Sequence, residues 1–261
     1  MEAFLDGEET PTANQQPPTP QDPAPPPEVG GPYAVYDILG LPRPEPISGA
    51  RVYCVPLTQS ALAPYTPRDT RRGIETAREL LTRGPYAFDH LLGSTLRDTP
   101  AVYALYYCGD LEVYALQRDE TSRMPIYIGS AGKVLHRVRT HAKSISRASN
   151  LELRDFTVRI LPMPGEYREE SETRLQRLYG TLWNDTLKGF GSRQGSADRR
   201  AATSRRSRWD CVHPGREGAG GRPRSGDFDV IIADAIPACL ERYRRVERLL
   251  DLDRELTEAD L

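Results

Sequence analysis

The stretch MPIYIGSAGKVLHRVRTHAKS, residues 124–144, decides the fold, because a short apolar run ends in Tyr-Ile-Gly and a basic segment follows at once. At about 100° per residue, a helix in this segment has an apolar stripe and a polar stripe on opposite sides. The apolar stripe consists of Leu135, Val138, Ala142 and Ile145, and the polar stripe of Arg137, His141 and Ser144. An isolated amphipathic helix would turn the polar stripe to solvent, so its function depends on what the rest of the chain places beside it.

The segments around this helix predict an α+β domain. Three runs rich in β-branched and aromatic residues favour a small antiparallel sheet of three strands: AVYALYYC (101–108), LEVYALQ (111–117) and PIYIG (125–129). FTVRILPM (156–163) predicts a further strand. Helical periodicity and capping residues predict helices within 66–84, at 87–94, over 134–147 and 167–179, and from Pro237 to about residue 252.

The first 32 residues have a composition that cannot bury enough apolar surface to fold. They contain nine of the 23 prolines and six acidic residues, with no Lys or Arg. We therefore expect a disordered, acidic tail at 1–32. Because this tail carries −6 and the whole chain −2, the remaining residues carry +4.

The order of these motifs resembles the GIY-YIG nuclease superfamily over about 90 positions. AVY (101–103) stands in place of the first half-motif and YIG (127–129) is the second. Arg137 and His141 match the Arg and His of the following helix, EESETRLQRLYGTLWN resembles the helix that presents a metal-binding glutamate, and WN matches the asparagine position. LWNDTLKGFGS and SRWDCVHPGR are similar to segments of a restriction endonuclease branch that cuts the palindrome CCGCGG.

The resemblance leaves some positions open. Ala101 replaces the name-giving glycine, which shapes a strand and supplies no reactive group. A slip of register would put Tyr106 or Tyr107 in place of Tyr103, although strand periodicity sets Tyr103 and Tyr107 on one face and Tyr106 on the other. Glu172 has acidic neighbours at Glu169 and Glu170, and Asn184 could instead cap a helix.

The resemblance implies a role for each matched residue. Glu172 holds one Mg²⁺, with Mn²⁺ as an alternative ion, and water and phosphate oxygens complete its coordination. Arg137 binds the scissile phosphate. Tyr103 takes a proton from water, favoured as phenolate by the nearby cations, and His141 accepts that proton or holds the hydroxyl. Tyr127 orients water or phosphate, and Asn184 positions phosphate or holds a loop.

Residues 188–225 carry ten basic groups against three acidic groups. Such a run can be a solvated loop, or a surface for DNA when a site lies beside it. The candidate DNA-binding residues are Arg199, Arg200, Arg205, Arg206 and Arg208. A palindromic target cut on both strands implies a homodimer, with 33–99 and the last helix as candidate dimer surfaces.

These features divide the chain into four regions. They are the tail at 1–32, an N-terminal extension for DNA binding or dimerisation at 33–100, the nuclease core at 101–191, and a basic loop with a C-terminal helix at 192–261. The four cysteines are far apart in sequence, which indicates reduced packing residues. No apolar run is long enough for a membrane span, and no signal sequence precedes the domain, so we expect a cytoplasmic protein.

Three functions fit this organisation. The first is a type II restriction endonuclease that acts on double-stranded DNA and is functionally paired with a DNA methyltransferase. The second is a GIY-YIG nuclease of the homing or repair kind. The third is a DNA-binding protein that has lost catalysis on the same scaffold. The segment at 209–216 favours the first over the second, and the set of matched residues argues against the third.

Overall fold

The computed structural model describes residues 54, 57–67, 73–118, 123–191, 206–216 and 228–250. The predicted tail at 1–32 lies outside these ranges, as does the start of the predicted N-terminal extension. Three of the five candidate DNA-binding arginines, Arg199, Arg200 and Arg205, also lie outside the described residues.

An antiparallel sheet of four strands forms the centre of the domain. The strands are β1 (Tyr86–Ala87), β2 (Ala101–Tyr107), β3 (Pro125–Ala131) and β4 (Phe156–Pro162). Their order is β1-β4-β2-β3, so β2 lies between two long partners and β3 is at the edge. The predicted strands at 101–108, 125–129 and 156–163 are confirmed, and the short β1 is a strand that the sequence did not predict.

The predicted strand at 111–117 is wrong, because Glu112–Gln117 forms a 3₁₀ helix. Both edges of β2 are already paired, with β3 and with β4. The 3₁₀ turn buries the Tyr114 ring completely against Tyr107 and Trp183. Tertiary packing therefore overrides the β propensity of this run.

Seven α-helices are described: α1 (Gly73–Leu81), α2 (Phe88–Leu92), α3 (Val134–Ser146), α4 (Gly165–Tyr179), α5 (Leu182–Asp185), α6 (Arg208–Val212) and α7 (Phe228–Leu249). The predicted helices at 87–94, 134–147 and 167–179 are confirmed. α7 begins nine residues before the predicted start and contains Pro237 in its interior. Its first half packs through buried Ile232 and Ile236, which stabilises a helix that the proline alone would interrupt.

The sheet has helices on both faces. Tyr103, Leu105 and Tyr107 of β2 point to a core shared with α2, α3, α5 and α6. Val102, Ala104 and Tyr106 point to the opposite core, shared with α1, α4 and the end of α7. This alternation confirms the predicted separation of Tyr103 and Tyr107 from Tyr106. An α+β domain with a three-layer core is the result.

The region predicted as an N-terminal extension contributes to the same core. β1 pairs with β4, and Phe88 and Leu91 of α2 are buried in the core that contains Tyr103. The functional division at residue 100 stays a prediction. None of the helices in the described ranges combines the length and apolarity that a membrane span needs.

Candidate active site

Tyr103 faces Gly129 across the pair of strands that carry the two half-motifs. A Cβ atom at Gly129 would lie 2.6 Å from the Tyr103 hydroxyl oxygen and 2.8 Å from the ring carbon that bears it. Only a residue without a side chain fits under this ring. The glycine of Tyr-Ile-Gly is therefore required by the position of the tyrosine on the neighbouring strand.

His141 lies on α3 directly against this tyrosine. Its Nε2 is 2.6 Å from the Tyr103 hydroxyl, and both side chains are buried. Burial lowers the pKa of His141 well below its usual value, and the charges of Arg137 and Arg216 lower it further. Burial raises the pKa of Tyr103 well above 10, Tyr127 adds to this rise, and Arg137 opposes it. Both groups are therefore neutral near pH 7, and we assign the shared proton to Tyr103, which donates to Nε2.

The alternative tyrosines have other partners. Tyr107 lies on the Tyr103 face, but its hydroxyl accepts a hydrogen bond from the backbone N–H of Leu111 at 2.8 Å. Tyr106 lies on the opposite face, where the guanidinium of Arg159 is 5.8 Å from its ring centroid. Tyr103 is thus the tyrosine of β2 that meets His141. In the chain without a metal ion, burial outweighs the nearby cation Arg137 and keeps the pKa of Tyr103 high. The phenolate expected with a bound metal stays a prediction.

Arg137 lies one helical turn before His141 on α3. Its guanidinium donates to the backbone carbonyl of Gly191. Gly191 also packs directly on the Tyr127 hydroxyl, where a Cβ atom would collide with the phenol oxygen. Phe190 stacks on the His141 ring, with centroids 4.5 Å apart and planes 17° apart. The segment 189–191 therefore covers the Tyr103–His141 pair and accepts a hydrogen bond from Arg137.

A buried ion pair holds this segment in place. Arg216 binds both carboxylate oxygens of Asp210, with N–O distances of 2.7–2.8 Å and side chains only 8% and 1% exposed. Arg216 also donates to the backbone carbonyls of Gly189 and Phe190. Its guanidinium lies 4.8 Å from the centroid of Trp209. Sequence reasoning missed Phe190, Asp210 and Arg216, since no spacing connects residues of 189–191 with those of 206–216.

Glu172 lies on α4 at the wall of an open cleft of about 500 Å³. Its carboxylate accepts from the Ser130 hydroxyl at 2.5 Å and from Gln176 Nε2 at 3.0 Å. Arg137, Arg168 and Gly191 line the same cleft. The neighbouring Glu169 and Glu170 pair with Arg168 and Arg174 and are more exposed. This geometry favours Glu172 among the three carboxylates, while its role stays a prediction.

The Asn184 side chain forms hydrogen bonds with the backbone of the edge strand, β3. Its side chain accepts from the Ile128 N–H at 2.8 Å and donates to the Ile128 carbonyl at 2.9 Å. Thr181 donates to the same amide oxygen. The amide thus pairs the outer edge of β3 as another strand would, between Tyr127 and Gly129. Of the two expected roles, the geometry favours holding a backbone segment over contact with phosphate, and the side chain is not a helix C-cap.

The basic segment is described in part. Arg208 is exposed at the start of α6, and its guanidinium donates to the carbonyl of Thr186 at 3.3 Å. Arg206 is half-buried immediately before this helix. DNA binding by these arginines stays a prediction.

His213 belongs to a second buried network. Its Nε2 contacts the Tyr114 hydroxyl, and its Nδ1 lies 2.9 Å from the Asn150 amide oxygen. Trp183 donates to the same Tyr114 hydroxyl at 3.0 Å. Burial lowers the pKa of His213 to about 3. Trp183 is 1% exposed and is therefore a core residue.

Comparison with known families bears on this arrangement. Residues 130–238 match the family model described as the Eco29kI GIY-YIG domain, a restriction endonuclease family. The match covers less than half of the chain and begins just after Tyr127–Gly129, so it contains Arg137, His141, Glu172 and Asn184 but not the two tyrosines. No curated protein matches the chain. Residues 130–238 are thus similar to a GIY-YIG domain, and the match supports a nuclease of the restriction type.

Proposed function

We propose that this chain is a Mg²⁺-dependent type II restriction endonuclease that hydrolyses phosphodiester bonds of double-stranded DNA. The observation that carries the proposal is the 2.6 Å contact between Tyr103 and His141, placed beside Arg137 and the cleft with Glu172. The match of residues 130–238 to a restriction endonuclease family supports the same conclusion.

The residues around Glu172 fit one hard divalent ion. Among the described residues, no group of three or more His, Cys, Asp or Glu side chains could hold a metal. Glu169 and Glu172 both line the cleft, and Glu172 is the more enclosed of the two carboxylates. Ser130 and Gln176 fix this carboxylate with neutral donors, which leaves its charge for the ion. When bound, Mg²⁺ supplies charge neutralisation for the phosphate and for the departing 3′ oxygen.

Arg137 binds the scissile phosphate by exchanging partners. Its guanidinium donates to the Gly191 carbonyl, a neutral acceptor, and a phosphate oxygen is a stronger one. The exchange also uncovers Tyr127, on which Gly191 packs. Tyr127 then reaches the water or the phosphate with its hydroxyl. DNA binding therefore opens the covered Tyr103–His141 pair.

Proton transfer runs from water through Tyr103 to His141. The attacking water gives its proton to the Tyr103 oxygen, and Tyr103 gives its own proton to His141 Nε2, so the tyrosine stays neutral. The charge of Arg137 is one cause of the low pKa of His141. A phosphate bound to Arg137 offsets that charge, so His141 is a stronger base in the complex than in the free protein.

Site specificity is the finer part of the proposal. The segments at 182–192 and 207–216, which resemble the branch that cuts CCGCGG, lie inside the family match. A palindrome of six base pairs has two identical half-sites, which suit a homodimer with two active sites. A DNA methyltransferase that protects the host genome completes the system. Arg199, Arg200, Arg205, Arg206 and Arg208 supply phosphate and base contacts.

Incubation of the purified chain with plasmid DNA tests the proposal. With Mg²⁺, the plasmid is expected to give discrete bands whose ends map to CCGCGG, and EDTA is expected to prevent cutting. Cuts at an asymmetric or longer site would overturn the restriction assignment and leave a nuclease of the homing or repair kind. Intact plasmid over a wide range of pH and salt would overturn the nuclease itself.

Substitution of the three neighbouring carboxylates locates the metal ligand. Glu172→Ala is expected to reduce cleavage by about 10³-fold or more, because it removes the ligand, while duplex binding is retained. Glu169→Ala and Glu170→Ala are matched controls on the same helix and are expected to cut at nearly the parent rate. Normal cutting by Glu172→Ala would show that the metal site is elsewhere.

A further inference from the structure

A second cleft, of about 640 Å³, lies between α4 and α7. Arg177 of α4 and two arginines of α7, Arg242 and Arg245, line it together with Asp185. None of these residues belongs to the candidate active site or to the basic segment at 188–225.

The charges of this cleft favour an anion. Arg242 lies 3.6 Å from Asp185, and both side chains are about half exposed. Arg245 lies 3.9 Å from Glu241, with side chains 71% and 80% exposed. Exposed ion pairs at such distances are worth little and exchange readily for a stronger partner. Three guanidinium groups therefore face the cleft against a single carboxylate of its lining.

This cleft adjoins the candidate active site. Thr173 and Gln176 line both clefts, and Gln176 donates to Glu172. Glu172 and Arg177 are five residues apart on α4, a rise of about 7.5 Å along the helix axis. The two residues are also turned by about 140° around the helix axis, and Thr173 and Gln176 lie between them on the walls of both clefts. A duplex that lies across this surface of α4 contacts both clefts.

We propose that the cleft with Arg177, Arg242 and Arg245 binds backbone phosphates of the same DNA duplex whose scissile bond lies beside Glu172. The inference rests on the proposed function and extends it to a second contact surface. Arginine forks suit phosphate oxygens, and a row of such contacts sets the orientation of a duplex without reading its sequence. The last helix, α7, thereby contacts DNA in addition to packing against the domain.

Arg242 has a structural task in addition. Its guanidinium packs on Gly180, the left-handed residue that ends α4, so its removal would also disturb this helix end. Arg177 and Arg245 are the better positions for a test. Arg244 offers a matched control, since it is an exposed neighbour of Arg245 on the same helix and does not line the cleft.

The test is the salt dependence of binding to a random-sequence DNA duplex, measured in EDTA so that the duplex stays intact. Each lost phosphate contact lowers the slope of log affinity against log salt by about 0.9. Arg177→Ala and Arg245→Ala are each expected to show this decrease and Arg244→Ala none, with unchanged thermal unfolding in all three. Single-stranded RNA serves as the second probe.

Equal slopes for Arg245→Ala, Arg177→Ala and the parent chain would overturn the inference, and so would a loss in Arg244→Ala as large as in Arg245→Ala. Slopes that change for single-stranded RNA and not for the duplex would overturn the choice of ligand. A parent chain that binds no duplex at all would overturn the proposed function and this inference with it. If the parent chain binds and cuts DNA but the slopes of Arg177→Ala and Arg245→Ala equal the parent slope, the inference alone is overturned.

Discussion

Two buried pairs of tyrosine and histidine lie in this domain, and they differ in their surroundings. In each pair a tyrosine hydroxyl meets histidine Nε2: Tyr103 with His141, and Tyr114 with His213. Burial is the largest cause of the lowered pKa of both histidines and of the raised pKa of both tyrosines. The tyrosine–histidine contact alone therefore does not make a reactive site.

The second pair is saturated by neutral partners. Trp183 donates to the Tyr114 hydroxyl, and Asn150 occupies the other nitrogen of His213. Among the described residues, the side chain of His141 has its only hydrogen bond with Tyr103. The first pair also has Arg137 and Tyr127 beside it, and Arg137 opens onto the cleft with Glu172. Charge and access to a cleft distinguish a candidate catalytic pair from a structural one.

Replacing each histidine with glutamine should give the largest difference between the two pairs. His141→Gln is expected to slow DNA cleavage by about 10²- to 10⁴-fold, because it removes the proton acceptor. His213→Gln is expected to cut within a few-fold of the parent rate but to lower the free energy of unfolding by about 1–3 kcal/mol, because buried partners lose their hydrogen bonds. Single-turnover cleavage and urea unfolding measure the two effects. Equal loss of cleavage in two folded variants would remove the distinction.

His213 of the second pair makes a predictable contribution to the acid sensitivity of folding. The pKa of His213 is about 3 in the folded state against 6.5 when unfolded, so the unfolded chain binds its proton first as the pH falls. The resulting stability is present above pH 6.5 and is lost progressively towards pH 3. Between pH 7 and pH 4.5 the loss is about 2.5 kcal/mol.

Urea unfolding at both pH values checks this expectation. His213→Gln should lose less stability on acidification than the parent chain by about that amount. His136→Gln, at an exposed position on α3, is the control and should behave as the parent does. An unchanged acid sensitivity in His213→Gln would contradict the assigned burial of this histidine.

Replacing Phe190, the ring that stacks on His141, should have a smaller effect, on the pH dependence of cleavage. Phe190→Leu exposes His141, on which Phe190 stacks, so the pKa of His141 is expected to rise back towards its usual value. The acid limb of the pH profile of cleavage should move up with it. Phe156→Leu, beside Tyr107 and Trp183 near the second pair, should leave the profile unchanged. A profile that does not move in Phe190→Leu would show that its acid limb belongs to another group.

The sequence predicted the strands and the helix that carry Tyr103, Tyr127, Arg137 and His141, because residue periodicity and fixed motif spacing are local signals. It failed at 111–117, where burial of Tyr114 turns a run with β propensity into a 3₁₀ helix. It also failed to connect Phe190 with His141 and Arg216 with 189–191. Those contacts join segments that are distant in the chain, and neither pattern nor composition encodes which of many aromatic and basic residues meet.

Deletion of one hydroxyl from each pair tests the central claim most directly. Single-turnover cleavage of duplex DNA by Tyr103→Phe is expected to be about 10²- to 10⁴-fold slower than by the parent chain, with unchanged duplex affinity, because the phenyl ring keeps its packing and loses the proton path. Tyr114→Phe is expected to cut at nearly the parent rate. Cleavage by Tyr103→Phe at the parent rate would contradict the assignment of the Tyr103–His141 pair to catalysis.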